Sequence, residues 1–126
     1  MGKILLINDD KAVSALLQYT LQQRGMSVDV AYDGPSGMEQ AMTAEYDLVL
    51  LDVYMPGMNG DVVCKNLRNH EQTKELPIYL ISSLADAKKQ EIVKDAHANG
   101  CIDISSIDNE LCKNIEIVMS RYTHPE

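Results

Sequence analysis

ILLI, from Ile4 to Ile7, has no polar member, and that narrows the possible folds sharply. A strand with one face in water alternates, whereas a short continuous run belongs to a strand covered on both faces. DLVLL (Asp47 to Leu51) is the clearest run of this kind, and PIYLIS (Pro77 to Ser82) adds another. SVDVA (Ser27 to Ala31) alternates and reads as a strand nearer an edge, and CIDI (Cys101 to Ile104) as a weak fifth strand. Helical patterns separate these runs. Lys11 to Arg24 places Leu16, Leu17, Thr20 and Leu21 on one face and stops at Gly25. Pro35 suits the first turn of a helix running to about Ala44. Asn59 or Asp61 opens a helix to about Asn69. Asp86 to Ala98 forms a fourth, with Ile92, Val93 and Ala96 inward, and Ile107 to Arg121 a last one, with Leu111, Ile115, Val118 and Met119 periodic. This alternation predicts right-handed crossovers and an α/β fold: a doubly wound, five-stranded parallel sheet with helices on both faces.

The 126 residues suit one domain, and no linker, repeat or low-complexity segment divides them. THPE, residues 123 to 126, reads as a frayed tail. Nineteen acids against eleven Lys and Arg give a formal charge of −8, a poor match for nucleic acid, which needs clustered cations. A metal dication or cationic ligand suits such a surface better. Cys64, Cys101 and Cys112 are odd in number and widely spaced, which predicts reduced thiols in a cytoplasmic protein, packed as small core fillers. No apolar run reaches membrane-spanning length, and MGKILLIN is too short in its apolar part for a signal peptide.

In a sheet of this type, ligands bind beyond the carboxyl ends of the strands, at the switch point of strand order. The polar residues there are Asn8, Asp9 and Asp10, then Asp52, then Ser82 and Ser83, and Asp103 or Ser105. If the first and third strands are neighbours, Asp9 and Asp52 meet in one cleft. Their mutual repulsion favours a hard dication with oxygen ligands, such as magnesium. A carboxylate so placed can act as a nucleophile toward phosphorus and form an acyl phosphate. Other polar residues have plainer readings. Asp10 reads as a helix N-cap, and His97 as a helix-end residue. His70 and His124 are isolated. Met55 and Met58 read as packing, and Lys88-Lys89 as a solvated helix start.

ILLINDD, LVLLDVYMPGMNG and LPIYLISS together resemble the receiver domains of two-component response regulators, the chemotaxis-regulator type included, over nearly the whole chain. The resemblance implies a flavodoxin-like topology with strand order 2-1-3-4-5, over residues 1–122. It implies Asp52 as phosphoacceptor, Ser82 as the switch hydroxyl, and a magnesium site from Asp9, Asp52, the Tyr54 carbonyl and, through water, Asn8. It implies a sensor histidine kinase or histidine phosphotransfer protein as donor, and a downstream protein as target. Direct contact with nucleic acid or membrane is not expected. Such a module is not an enzyme beyond catalysing its own phosphorylation and dephosphorylation.

One stretch departs from the pattern. At its fifth strand the family carries, in chain order, an aromatic residue and, shortly after it, a lysine followed by proline. Counting forward from Ser82 puts Cys101, Ile104 and Ser105 at those positions, and no lysine lies between Lys94 and Lys113. Two functions follow. One is a phosphoacceptor receiver with altered switching. The other is a phosphorylation-independent pseudo-receiver that acts as a protein-interaction module. A flavodoxin-like cofactor binder is disfavoured, because the acidic NDDKAVS follows the first strand where a phosphate-cradling glycine loop would lie.

Overall fold

The computed structural model describes residues 2–82 and 86–122, so Ser83 and the tail from Thr123, His124 included, lie outside the described residues. Strands and helices alternate as β1 (Lys3–Ile7), α1 (Lys11–Gln22), β2 (Ser27–Ala31), α2 (Gly34–Thr43), β3 (Leu48–Asp52), α3 (Gly60–Arg68), β4 (Ile78–Ser82), α4 (Asp86–Ala96), β5 (Gly100–Asp103) and α5 (Asn109–Tyr122). The strands form one parallel sheet in the order β2-β1-β3-β4-β5, with the alternating SVDVA at an edge and LVLLD at the centre. Parallel strands need crossover helices, and these cover both faces.

Each unbroken run feeds two cores. Ile4, Leu6, Leu48 and Leu50 pack with Leu17 and Leu21 of α1 and with Leu111, Ile115 and Met119 of α5. Leu5, Ile7, Val49 and Leu51 pack on the other face with Ala41 of α2, Val63, Cys64 and Leu67 of α3, and Ala96 of α4. The side-chain period of two in a strand sends neighbours to opposite layers. That is why the runs have no polar position to spare.

Local chemistry sets the element ends. Asp10 caps α1 by accepting from the Val13 amide at 3.0 Å, as expected of it. Asp108 caps α5 in the same way through the Leu111 amide, so that helix begins at Asn109 rather than Ile107. His97 stops α4 in the left-handed region at φ 61°. Two backbone bonds close that end, His97 N–H to Lys94 and Ala98 N–H to Val93, which is a Schellman arrangement. Two expectations need correction. Leu16 is 51% exposed, because the inner face of α1 runs through Ser14, Leu17 and Leu21 instead. Lys89 is not a solvated residue: its side chain is only 11% exposed and lies against β5.

Candidate functional site

Asp52 ends the central strand. Ile7 is the register partner of Leu51, so Asn8, Asp9 and Asp10 leave β1 beside it. On the other side Asp52 pairs with Ile81, so Ser82 stands one residue beyond. Three strand ends therefore bring Asp9, Asp52 and Ser82 to one edge. Asp103 stands beside Ser82 as its register partner on β5, one strand further from Asp52, and its Oδ1 accepts from the Ser105 hydroxyl at 2.6 Å and its amide at 2.8 Å.

The Asp52 carboxyl is half-buried, and its pKa is pushed up to about 6. Burial is the main cause. The Tyr54 amide pulls it down, the Asp9 charge raises it, the Val53 amide lowers it and Asp10 raises it further. Asp9 and Asp10 are exposed. Asn8 is buried, and its side-chain oxygen accepts from the Asp10 amide at 3.3 Å, which shapes the acidic turn. Ser14, a residue that sequence patterning does not single out, buries its hydroxyl under the same turn and donates to the Asn8 carbonyl at 3.4 Å.

The loop after Asp52 is built onto the strand end. Val53 and Met55 are buried in the α2–α4 core and Tyr54 between them is exposed. The Met55 amide donates to Asn59 Oδ1 at 3.1 Å, and the Gly60 amide to the Val53 carbonyl at 2.8 Å. A Cβ on Gly60 would lie 2.1 Å from the Asp52 carbonyl oxygen, so only glycine lets α3 start this close to the site. Gly57 turns the chain at φ 84°. The composition of PGMNG follows from these approaches.

The stretch after β5 has a different character from the acidic edge. The Ile104 amide donates to the Ser82 carbonyl at 3.3 Å, and its side chain packs against the α1–α5 core, the layer that also takes Leu48 and Leu50 of Asp52's strand. An apolar side chain thus stands at the position where the family pattern carries a lysine. Cys101, half-buried, packs against the opposite core, and Cys64 and Cys112 are buried as free thiols. Met55 and Met58 pack as expected.

Among the described residues no group of three His, Cys, Asp or Glu side chains is placed to hold a metal. The side chains that meet at the end of the central strand, Asp9 and Asp52, offer oxygen donors only. That fits magnesium, which takes few protein ligands and keeps its waters. No described helix is long and apolar enough to cross a membrane.

Known proteins resemble this chain in sequence and fold. The response regulator receiver domain model matches residues 4–116. The response regulator ArlR of Staphylococcus saprophyticus is 35% identical over 86 residues, 68% of this chain and 38% of that protein. The DNA-binding dual master transcriptional regulator RpaA of Synechocystis is 37% identical over 84 residues, 67% of this chain and 35% of that protein. The chain thus spans well under two thirds of these relatives. The response regulator TrrA of Thermotoga maritima, solved in complex with Mg2+ and BeF, superposes with a TM-score of 0.80 at 26% identity, covering 94% of this chain and 99% of that one. A parallel sheet in the order 2-1-3-4-5, an acidic edge around the end of its central strand and a family match over most of its length make this chain a member of the response regulator receiver domains of two-component signalling.

Proposed function

We propose that this receiver accepts a phosphoryl group on Asp52 from a phosphohistidine, on a sensor kinase or a phosphotransfer protein, in the cytoplasm. The observation that carries the reading is the convergence of Asp52, Asp9 and Ser82 at three adjacent strand ends, with Asp52 held half-buried among like charges. A carboxylate kept there at a cost in solvation has a use other than folding. In the reaction, an Asp52 oxygen attacks phosphorus as the phosphorus–nitrogen bond breaks. The bonding pair returns to the imidazole nitrogen, which takes up a proton. Ser82 donates its hydroxyl to a phosphoryl oxygen, and the Val53 and Tyr54 amides, which bond the Asp52 carboxyl, favour its charged, nucleophilic form. Asp9, Asp52 and the Tyr54 carbonyl would hold magnesium, with Asn8 acting through water; the complex of the Thermotoga protein with Mg2+ and BeF supports magnesium as the ion. Bound magnesium supplies charge neutralisation at the transferring group. Direct nucleic-acid binding is not part of this reading, because the chain carries a net charge of −8.

A phosphorylation-independent interaction module is the second reading, and the packing of Ile104 into the core favours it, since that position supplies no cation. Incubation with acetyl phosphate and magnesium, followed by intact mass measurement, separates the two. The phosphoacceptor reading requires the mass of one phosphoryl group on the wild type and none on Asp52→Asn. An unmodified wild type supports the interaction module. Modification that persists in Asp52→Asn refutes the assignment of the nucleophile.

A further inference from the structure

Lys89 has a burial and a position that the surface of a helix does not require. It belongs to the first turns of α4, its side chain is 11% exposed, and its Nζ lies 3.6 Å from Asp103 Oδ2. Asp103 is the last residue of β5 and the register partner of Ser82. The lysine head therefore lies at the carboxyl edge of the sheet, on the side of Ser82. Adjacent strands are about 4.8 Å apart, which puts the backbones of Asp103 and Asp52 roughly 10 Å from each other across β4. A phosphoryl group on Asp52 extends toward Ser82 and shortens that gap from one side. The flexible four-carbon lysine stem shortens it from the other.

The surroundings give the lysine room to move. A cavity of about 450 Å³ separates α4 from β5, lined among others by Lys89, Val93, Gly100, Cys101 and Asp103. Asp103 stays in place without the lysine, because its other oxygen is held by the Ser105 amide and hydroxyl. Those bonds, ahead of the lysine, keep its carboxyl below the usual range. Lys11, the cation at the start of α1, lies over the Tyr32 ring at 5.4 Å, next to β2 and away from Ser82.

We propose that Lys89 is the cation of the phosphorylated site, exchanging Asp103 for a phosphoryl oxygen beside Ser82 and so replacing from α4 the charge that Ile104 does not supply from β5. The inference rests on the proposed role of Asp52. It gives this chain a direct link between the phosphoryl group and the position of α4. In the resting protein the lysine ties α4 to β5; in the phosphorylated protein it ties α4 to the site.

The test measures binding of beryllofluoride with magnesium, a phosphoryl mimic, by amide shifts in the full chain. Lys89→Gln weakens binding on the order of tenfold or more, the worth of one charge-assisted hydrogen bond. Lys89→Arg keeps most of it. Asp103→Asn tightens binding a few-fold, because the competing carboxylate is gone. The opposite signs are diagnostic: a purely structural latch between α4 and β5 is weakened by both changes alike. Wild-type affinity in Lys89→Gln, or weaker binding in Asp103→Asn, overturns the proposal while leaving Asp52 in its role. Should Lys89→Gln not fold, the sign of the Asp103→Asn effect still decides. A wild type that binds no mimic, and gains no phosphoryl group from acetyl phosphate, overturns the role of Asp52 as well.

Discussion

Asp52 holds its carboxyl at a cost to the folded protein, and the sign of that cost is measurable. Its pKa rises from an ordinary 3.8 to about 6, mainly through burial. Between those values the folded chain keeps a proton that the unfolded chain has lost. Stability therefore falls as pH rises from 3.8 to about 6 and is flat above, so far as this group is concerned. Replacement by Asn removes the charge and keeps the shape. Without metal, Asp52→Asn is expected to be more stable than wild type at neutral pH, on the order of 1 kcal/mol once partial exposure is allowed for. The advantage shrinks toward acid pH. Urea unfolding across a pH series tests this, and equal stability at neutral pH would show that the site is better solvated than its geometry implies. Ser82, the buried hydroxyl next along the edge, carries no such charge and was placed by the sequence at the end of its strand, as observed.

At the scale of elements, the joints around the site carry the specificity. Gly60 begins α3 against the Asp52 carbonyl, where a methyl group would stand 2.1 Å from backbone oxygen. Gly60→Ala must push α3 away from the strand end, and overpacking of this kind costs about 1–3 kcal/mol. The same shift moves the loop amides, so phosphoryl uptake is expected to fall together with stability. Uptake at the wild-type rate would separate the loop from the chemistry. The far end of α4 offers the reverse case. His97 occupies a left-handed conformation at φ 61°, which glycine adopts without strain. His97→Gly should raise stability by roughly 1 kcal/mol, read as a higher unfolding midpoint in urea with unchanged phosphorylation. Nearby, Arg68 donates to the His97 carbonyl at 2.9 Å, the Leu76 carbonyl at 2.7 Å and Asn99 Oδ1 at 2.8 Å, joining the ends of α3 and α4 to the start of β4. No short motif announces that arginine, because its partners lie 5 to 31 residues away.

The whole molecule is one sheet between two cores, so damage to the central strand reaches both. Leu50 is fully buried in the α1–α5 core and Leu51 in the other. Leu50→Ala removes buried methyl groups and leaves a cavity, at an expected cost of about 2–5 kcal/mol. That is a large part of the 5–15 kcal/mol typical of a whole domain. Calorimetry should show a single transition at lower temperature. Two transitions would mean that the two cores unfold independently.

Much of this was legible in the residues alone. A run such as LVLL has no polar position, so it belongs to a strand covered on both faces, and alternating helices then leave little choice of fold. An acid at the end of such a run, followed by Pro, Gly and Asn, announces itself because strand ends and turns are local events. Asp10 caps its helix for the same local reason, whereas a helix pattern opening at Ile107 passes over the Asp108 cap and starts α5 two residues early. Contacts between distant elements were not legible. Periodicity placed Leu16 on the buried side of α1, but the packing of α1 on the sheet chose Ser14, Leu17 and Leu21. Lys89 looked like any exposed helix lysine until α4 lay against β5, because a long flexible side chain takes its partner from whatever the tertiary structure brings near. The position of a carboxylate along its strand is a property of the sequence; which cation reaches it depends on how the helices pack.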